Sequence, residues 1–374
     1  LDLASKIALW LCPELKEHEQ LKLLQHAKDL KNCIQYAGDL RIHLSERAHV
    51  FLNHSEAAVE HVLNWLSCKH HTLISFGDEA YPALLSEIDT PPPFISILGN
   101  PAVLHEPQVG IVGCRNMTHY GAQNAFQFAK ALVEIGVGIT SGLARGIDAL
   151  AHEGALAGKG TTIAVLGAGL RSIYPAQHTD LAKKISETGA VISEFPLDRT
   201  PMHHQFPMRN RLISGLSLGV LVIEAAEKSG SLITARCALK QNREVFAIPG
   251  SIHSPSSKGC HSLLKQGATL VESLPDLLLE ITQKLKTFID KSPQKQAILP
   301  LEQNKKGLQV QVKRDKALKR EGLLTYFEKD ALMSIDALAE KTGESLEALA
   351  TALLNLELQG AIMLTPGGYK CLAL

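Results

Sequence analysis

Residues 224–239 read EAAEKSGSLITARCAL, so that Ser229, Gly230, Ser231 and Thr234 open a helix just after the apolar run LGVLVI. A glycine-broken loop that opens a helix presents a run of free backbone N–H groups to an anion, whether the phosphate of a nucleotide or that of a polymer. Three further segments offer the same chemistry. After VGIVG, a turn supplies Gly113, Arg115, Thr118, Tyr120 and Gly121. Close backbone approach, a guanidinium, a hydroxyl and an aromatic face together suit a phosphate with an adjacent base. SGLARGIDALAH places Ser141, Gly142, Arg145, Asp148 and His152 over a second helix start. Asp148 is expected as a helix-start acid, whereas Arg145 needs an acid or a bound anion to answer it there, so it is either the partner of Asp148 or a ligand contact. HHQFPMRNRLISGLS, residues 203–217, adds Arg209 and Arg211 behind Phe206. At least one of these arginines should pair with Glu194 or Glu224, because a buried guanidinium needs a partner.

The same loops are poor in groups for bond-breaking. A dinucleotide-binding unit asks for G-x-G-x-x-G after its first strand and an acid ending the second, but the second strand here ends in Thr140-Ser141-Gly142. Gly167-Ala168-Gly169 follows the third strand and reads as a tight turn at the shared crevice. A rival reading is an enzyme resembling the cytokinin-activating phosphoribohydrolases, whose P-G-G-x-G-T loop and nearby glutamate grip a ribose phosphate. Glu224 and Ser229-Gly230-Ser231 stand in the comparable place, yet the loop reads SGSLIT and no second acid or base completes general acid/base work. No catalytic residue is therefore assigned. In the binding reading Arg115, Arg145, Arg209 and Lys228 hold successive phosphates. Tyr120 or Phe206 stacks a base, worth about 1–3 kcal/mol per base with little sequence preference. Phe206 has core packing as its alternative.

Such loops need a scaffold that gathers them. From residue 109 the runs VGIVGC, GVGITSG, TTIAVLG, AVISEF, LGVLVIEA, REVFAIPG and ATLVES alternate with helix-length amphipathic sequence. Short β-branched runs in this rhythm predict an α/β fold, a doubly wound (extended Rossmann-like) parallel sheet over residues 70–283, covered on both faces. Every glycine-rich loop then falls beyond a strand's C-terminal end, where such sheets bind ligands. Residues 1–68 carry apolar positions at helical spacing (Ile7, Trp10, Leu11; Val59, Val62, Leu63, Leu66) and predict a small helical domain. DTPPPFISILGN at 89–100 marks a boundary, since three prolines cannot continue a helix. Residues 284–320, with eleven Lys/Arg against three Asp/Glu, read as a basic flexible linker. Residues 321–374 predict two short helices and two short strands around Pro366-Gly367-Gly368, the order of a winged helix or of a helical hairpin with a β-ribbon. Leu263 and Leu264 either pack on their own sheet or cover a protein partner or second copy.

Composition narrows the partners. The chain balances 38 basic against 38 acidic residues, so any nucleic-acid site is local rather than a general coat of positive charge. Its seven scattered cysteines form no C-x-x-C pair, which argues against a zinc ribbon or a disulfide framework and for a reducing compartment. The chain opens on Leu1 rather than Met, which reads as a trimmed start, and its first residues carry the early acid Asp2 and no basic n-region. With no apolar run of membrane-spanning length, a cytoplasmic location and no membrane partner are expected.

GCRNMTHYG, SGLARGIDALAHEGAL, TIAVLGAGLRSIYP, SEFP, FPMRNRLISGLS, VLVIEAAEKSGSLITARCAL, REVFAIPG and KGCHSLLKQGA, in this order, resemble the DNA-processing protein A (DprA/Smf) family. DEAYPALLSEIDTPPPFISILGN before them fits its entry segment, and the likeness runs over residues 72–275. The resemblance implies a homodimer that binds single-stranded DNA, protects it during natural transformation and helps load the RecA recombinase, with no cofactor. It also implies that the N-terminal helices are a SAM-like domain and the C-terminal segment a winged helix. The family's glycine-serine-arginine loop falls on Gly113-Cys114-Arg115, where Cys114 replaces serine and removes one hydroxyl contact. Phe206 matches a pocket aromatic, while a family lysine position falls on His203. A histidine is mostly neutral at pH 7, so its pull on phosphate is weaker and pH-sensitive.

Overall fold

The computed structural model describes residues 1–27, 29–291, 323–324, 326–327, 332–358, 361–365 and 368–371. The chain divides into two compact units, Leu1–Val271 and Glu272–Leu374.

The first unit begins with helices α1 (Leu3–Leu11), α2 (Glu17–His26), α3 (Leu30–Asp39), α4 (Glu46–Asn53) and α5 (Glu56–Leu66). Side chains start two of them: Asp2 accepts from the Ser5 N–H at 2.8 Å and Ser45 from the Ala48 N–H at 3.1 Å. The apolar spacing of α1 and α5 turns Ile7, Trp10, Val59, Val62 and Trp65 inward. Their core is continuous with Phe94, Leu166, Val191 and Leu197, so the helices pack on the sheet rather than standing apart from it.

That sheet has nine strands: β1 (His71–Ser75), β2 (Phe94–Gly99), β3 (Gln108–Val112), β4 (Gly138–Ser141), β5 (Thr162–Val165), β6 (Ala190–Ser193), β7 (Gly219–Val222), β8 (Glu244–Ala247) and β9 (Thr269–Leu270). Their order is β1-β2-β6-β5-β4-β3-β7-β8-β9. From β6 to β9 every pairing is parallel, while β2 runs antiparallel to both β6 and β1. Intervening helices are α6 (Ala83–Ser86), α7 (His119–Glu134), α8 (Ile147–Ala157), α9 (Thr179–Thr188), α10 (Gln205–Gly215), α11 (Ser231–Lys240) and α12 (Lys258–Lys265). Strand residues alternate between two cores. Ile163, Val165 and Ile192 meet α10 to α12, whereas Ala164 and Val191 meet α9 and the N-terminal helices. The chain leaves β3 toward β4, β5 and β6, then returns to β7 on the other side of β3, which makes the C-terminal ends of β3 and β7 the topological switch point. Leu263 is 5% exposed in the core below α12, while half-buried Leu264 packs against that core from its edge.

The second unit contains α13 (Leu274–Lys291), α14 (Ile335–Thr342), α15 (Leu346–Leu358) and an antiparallel hairpin of β10 (Ile362–Thr365) and β11 (Gly368–Cys371). Residues 284–291, expected as linker, continue α13; the remainder of 284–320 lies outside the described residues, as do Pro366 and Gly367. Ser334 caps α14, Gly343 ends it in the left-handed conformation at φ +70, and Leu338, Leu349 and Leu353 fill the core. Among the described residues no helix is long and apolar enough to cross a membrane.

His152, on the inner face of α8, lies fully buried. The Thr162 hydroxyl donates to the Ile139 carbonyl at 2.8 Å, so at the 2.7 Å contact between them His152 Nδ1 must donate to Thr162 Oγ1. Nε2 then stands unprotonated and unpartnered in the core. Burial, followed by the charges of His178 and Arg209, pushes the imidazole down to about 3. The unfolded chain takes up this proton near its ordinary value of about 6.5 and the folded chain does not, so the contribution is whole above that pH and is lost as pH falls below it. Urea midpoints read from tryptophan emission should therefore drop between pH 7 and 5, and His152→Asn should flatten that drop while lowering the midpoint at pH 8.

Candidate functional site

At the C-terminal ends of β3, β4 and β5 lies a cleft of about 260 Å³. Arg115 enters it from the β3 loop, and Gly142, Ala144 and Arg145 from the β4 loop. Tyr174, Pro175 and Gln177 follow β5, and Phe206 and Arg209 come from the first turns of α10. The Arg115 guanidinium carbon stands 5.9 Å from the Phe206 ring centre, and the Tyr174 ring lies 5.5 Å from Phe206 at 45°. Arg115, Arg145 and Tyr174 are exposed at the rim.

Arg209 is buried beneath them. Its Nη1 donates to the Gly142 carbonyl at 2.8 Å and to the Val165 carbonyl, and Nε to Asn210 Oδ1 at 3.2 Å. Burial lowers its affinity for the proton to about 10, against the pull of Asp148, so the guanidinium stays charged at neutral pH. Asp148 accepts from the Gly142 N–H at 3.1 Å. Burial raises its carboxyl, while Arg209 and the N–H groups of Ala144, Gly142 and Gly113 hold it down. Asp148 thus ties the β3 and β4 loops together, and its cation is Arg209, not Arg145. Gly146 has φ +82, and a Cβ there would lie 2.5 Å from the Arg115 carbonyl oxygen, so only glycine lets the two loops touch.

Glu224 occupies the switch point. Its carboxylate accepts from the Thr118 hydroxyl at 2.5 Å, the Thr118 N–H at 3.0 Å and the Cys114 thiol at 3.3 Å. Thr118 caps α7 by accepting from the Gly121 N–H at 3.1 Å, and a Cβ on Gly121 would fall 2.5 Å from the Glu224 carboxyl carbon. Burial, then the hydrogen bond and charge of Glu224, push the Cys114 thiol up to about 12, so it stays a neutral donor.

The remaining expected residues lie outside the cleft. Tyr120 is exposed on the β8 side, its hydroxyl 3.5 Å from the Pro249 carbonyl. Buried Ser141 donates to the Ile111 carbonyl at 2.6 Å. Arg211 pairs with Glu194 and Glu17, each at 2.6 Å. Ser229 and Ser231 bond each other at 2.7 Å, Thr234 is buried, and Asn210 Nδ2 reaches the Gly230 carbonyl at 3.3 Å. His203 is exposed in the turn before α10, and Lys228 is exposed in the loop after β7. Tyr174, Pro175 and Gln177 were not foreseen. Their signal was the aromatic-proline pair in GAGLRSIYPAQ, directly after the glycine turn expected at the crevice, and Gly167 in that turn sits under Phe206 with room for no Cβ.

The family described as DNA recombination-mediator protein A matches residues 72–282, and the DprA winged helix domain matches residues 312–368. Protein Smf of Escherichia coli K12 is 44% identical over 324 residues, which span 86% of this chain and 83% of that protein. DNA processing protein DprA of Streptococcus pneumoniae R6 is 44% identical over 206 residues, 55% of this chain and 73% of its own length. The X-ray structure of DNA processing protein A from Streptococcus pneumoniae superposes with a TM-score of 0.63 at 35% identity, covering 75% of this chain and 98% of that one. DNA processing protein A from Helicobacter pylori, solved for its unique single-stranded DNA binding mode, gives 0.52 at 29% identity over 57% of this chain and 98% of its own. A cleft built from a G-C-R turn, an S-G-L-A-R-G loop and an F-P-M-R-N-R helix start, with a family match over more than half the chain, places the protein in the DNA recombination-mediator protein A (DprA/Smf) family.

Proposed function

We propose that the protein binds single-stranded DNA in this cleft and acts as a recombination mediator in natural transformation, protecting the incoming strand and helping to load RecA recombinase onto it. The observation that carries the reading is the joining of three guanidinium groups, Arg115, Arg145 and Arg209, to the aromatic pair Phe206 and Tyr174 within one cleft. Guanidinium groups hold phosphates in charge-assisted bonds, and rings of this kind stack on any base whose face is free. Bases inside a duplex have no free face, which favours an unpaired strand. The name of the Helicobacter pylori relative, which refers to single-stranded DNA binding, points the same way.

Binding is favoured over nucleotide hydrolysis because the buried acids at the β3, β4 and β7 loops, Glu224 and Asp148, are already engaged. Glu224 holds Thr118 and Cys114, and Asp148 holds Arg209 and backbone N–H groups. Neither is free to act as an acid or a base on a bound nucleotide. The single Cys114 S–H lies 3.3 Å from both the Glu224 carboxylate and the Asn116 carbonyl, so it is directed away from a bound strand in this reading. A homodimer and a cytoplasmic location belong to the same proposal and rest on family membership.

Arg115→Ala should weaken binding of a labelled oligo(dT) by about 1.5–3 kcal/mol in an anisotropy titration, and unchanged affinity in the folded variant would place the strand elsewhere. Tyr174→Ala should cost about 1–3 kcal/mol, and Tyr120→Ala, on the far side of the switch point, should cost little. Affinity for oligo(dT) should fall as salt rises, with a slope of about −0.7 for each phosphate neutralised. Tight saturation by AMP with no response to salt would favour the nucleotide-enzyme reading.

A further inference from the structure

Two walls of the cleft are fastened from behind by the N-terminal helices. On α10, Arg209 lines the cleft, whereas Arg211 reaches away from it to Glu194 and to Glu17, the first residue of α2. The Glu194 carbonyl in turn accepts the indole N–H of Trp10 in α1 at 3.0 Å. On the opposite wall, the loop that carries Tyr174 also carries Arg171. Its guanidinium meets His61 of α5 and lies 3.4 Å from Asp198, while His61 Nε2 lies 3.1 Å from the same carboxylate. A third tie from the N-terminal helices, the ion pair of Lys6 and Asp78 at 2.6 Å, joins α1 to the turn after β1, which has no part in the cleft.

The three contacts do different work. Lys6 and Asp78 hold α1 against the sheet and touch neither wall. Glu17 adds little to the local pair, because Glu194 already neutralises Arg211, and a second acid beside a buried first one is repelled by it. Burial raises the Glu194 carboxyl, Arg211 opposes that rise, and Glu17 adds to it. What Glu17 does supply is a fixed point outside the sheet. A helix of 11 residues turns as one body, so a rotation that released Arg211 would carry Phe206 and Arg209 with it. Movement of Arg171 would shift Tyr174 in the same way, changing the spacing of the aromatic pair that receives the base.

We infer that the N-terminal helices are a positioning clamp for the DNA cleft, with Glu17 fixing the α10 wall through Arg211 and His61 fixing the Tyr174 wall through Arg171. The inference rests on the reading of the cleft as the strand site. Glu17, Arg211, His61 and Arg171 are positioning residues outside the lining of the cleft.

The test compares full-length Glu17→Gln, His61→Ala and Lys6→Met proteins for oligo(dT) affinity, with melting temperature as the measure of docking. All three should lose some thermal stability. Only the first two should bind more weakly, by about three- to tenfold, with the salt slope of wild type, because no phosphate contact is removed. Glu17→Asp, which keeps the carboxylate, should recover part of the loss. The sign is diagnostic for Glu17→Gln: deleting an acid near a cationic cleft would by long-range electrostatics leave affinity unchanged or tighten it. Affinity equal to or tighter than wild type in Glu17→Gln, or an equal loss in Lys6→Met, overturns the clamp. Arg115→Ala run alongside separates the two claims, since wild-type affinity in that variant overturns the cleft reading itself.

Discussion

The buried pair of Asp148 and Arg209 is the constraint on which the cleft depends. Three parallel strands deliver their loops to one place, and each loop arrives with unpaired backbone groups. Asp148 gathers the N–H groups of Gly113, Gly142 and Ala144, and Arg209 gathers the carbonyls of Gly142 and Val165. Neither charge would be tolerated there alone, because an unpaired buried ion leaves its desolvation uncompensated, and removing one partner of such a pair typically costs about 3–5 kcal/mol. The pair is thus a poor source of net stability and an effective device for fixing loop positions. It also holds the Arg209 guanidinium fixed at the cleft floor, so that this group need not reorganise when a ligand arrives.

From that fixed floor the division of labour follows. Arg115 and Arg145 stand at the rim in solvent, where long side chains can follow a flexible backbone, while the rings of Phe206 and Tyr174 meet each other at 45° beside them. A chain with 38 basic and 38 acidic residues has no general attraction for polyanions, so the proposed reading requires a local site such as this cleft. Glu224 performs the complementary task across β3. It pulls the turn after β3 down onto the switch point through Thr118 and Cys114, which sets the direction in which Arg115 leaves the sheet.

The N-terminal helices enter this arrangement through a continuous core with the sheet as well as through ion pairs. Trp10 shows how the two combine, since its ring is buried among apolar side chains and its N–H ends on the Glu194 carbonyl. Glu194 carries Arg211, and Arg211 shares a helix with Arg209. Packing at the back of the unit and charge at its front are therefore linked through one short helix.

Much of this was written locally in the chain. The β-branched runs and their helix-length spacing determined a doubly wound sheet, because strand and helix periods are short-range properties. The glycine turns determined where backbone could approach a ligand, and so Arg115, Gly142, Arg145, Phe206 and Arg209 were legible as cleft residues. Tertiary structure decided what depends on contacts between distant segments. Arg209 and Arg211 stand two apart on a helix and so face different ways, but only the fold showed that Arg211 turns to Glu17 and Glu194 while Asp148 takes Arg209. Tyr120 and Tyr174 each follow a glycine-bearing turn in sequence. The direction of α7 sends Tyr120 toward Pro249, and the loop after β5 brings Tyr174 to Phe206. Leu263 carried the same ambiguity, since an apolar residue on an amphipathic helix must be covered and its sequence does not name the cover. Here the cover is the protein's own sheet. Periodicity is fixed by the geometry of a single segment, whereas the partner of a buried charge or an exposed ring is fixed by which segments the whole sheet brings within a few ångströms.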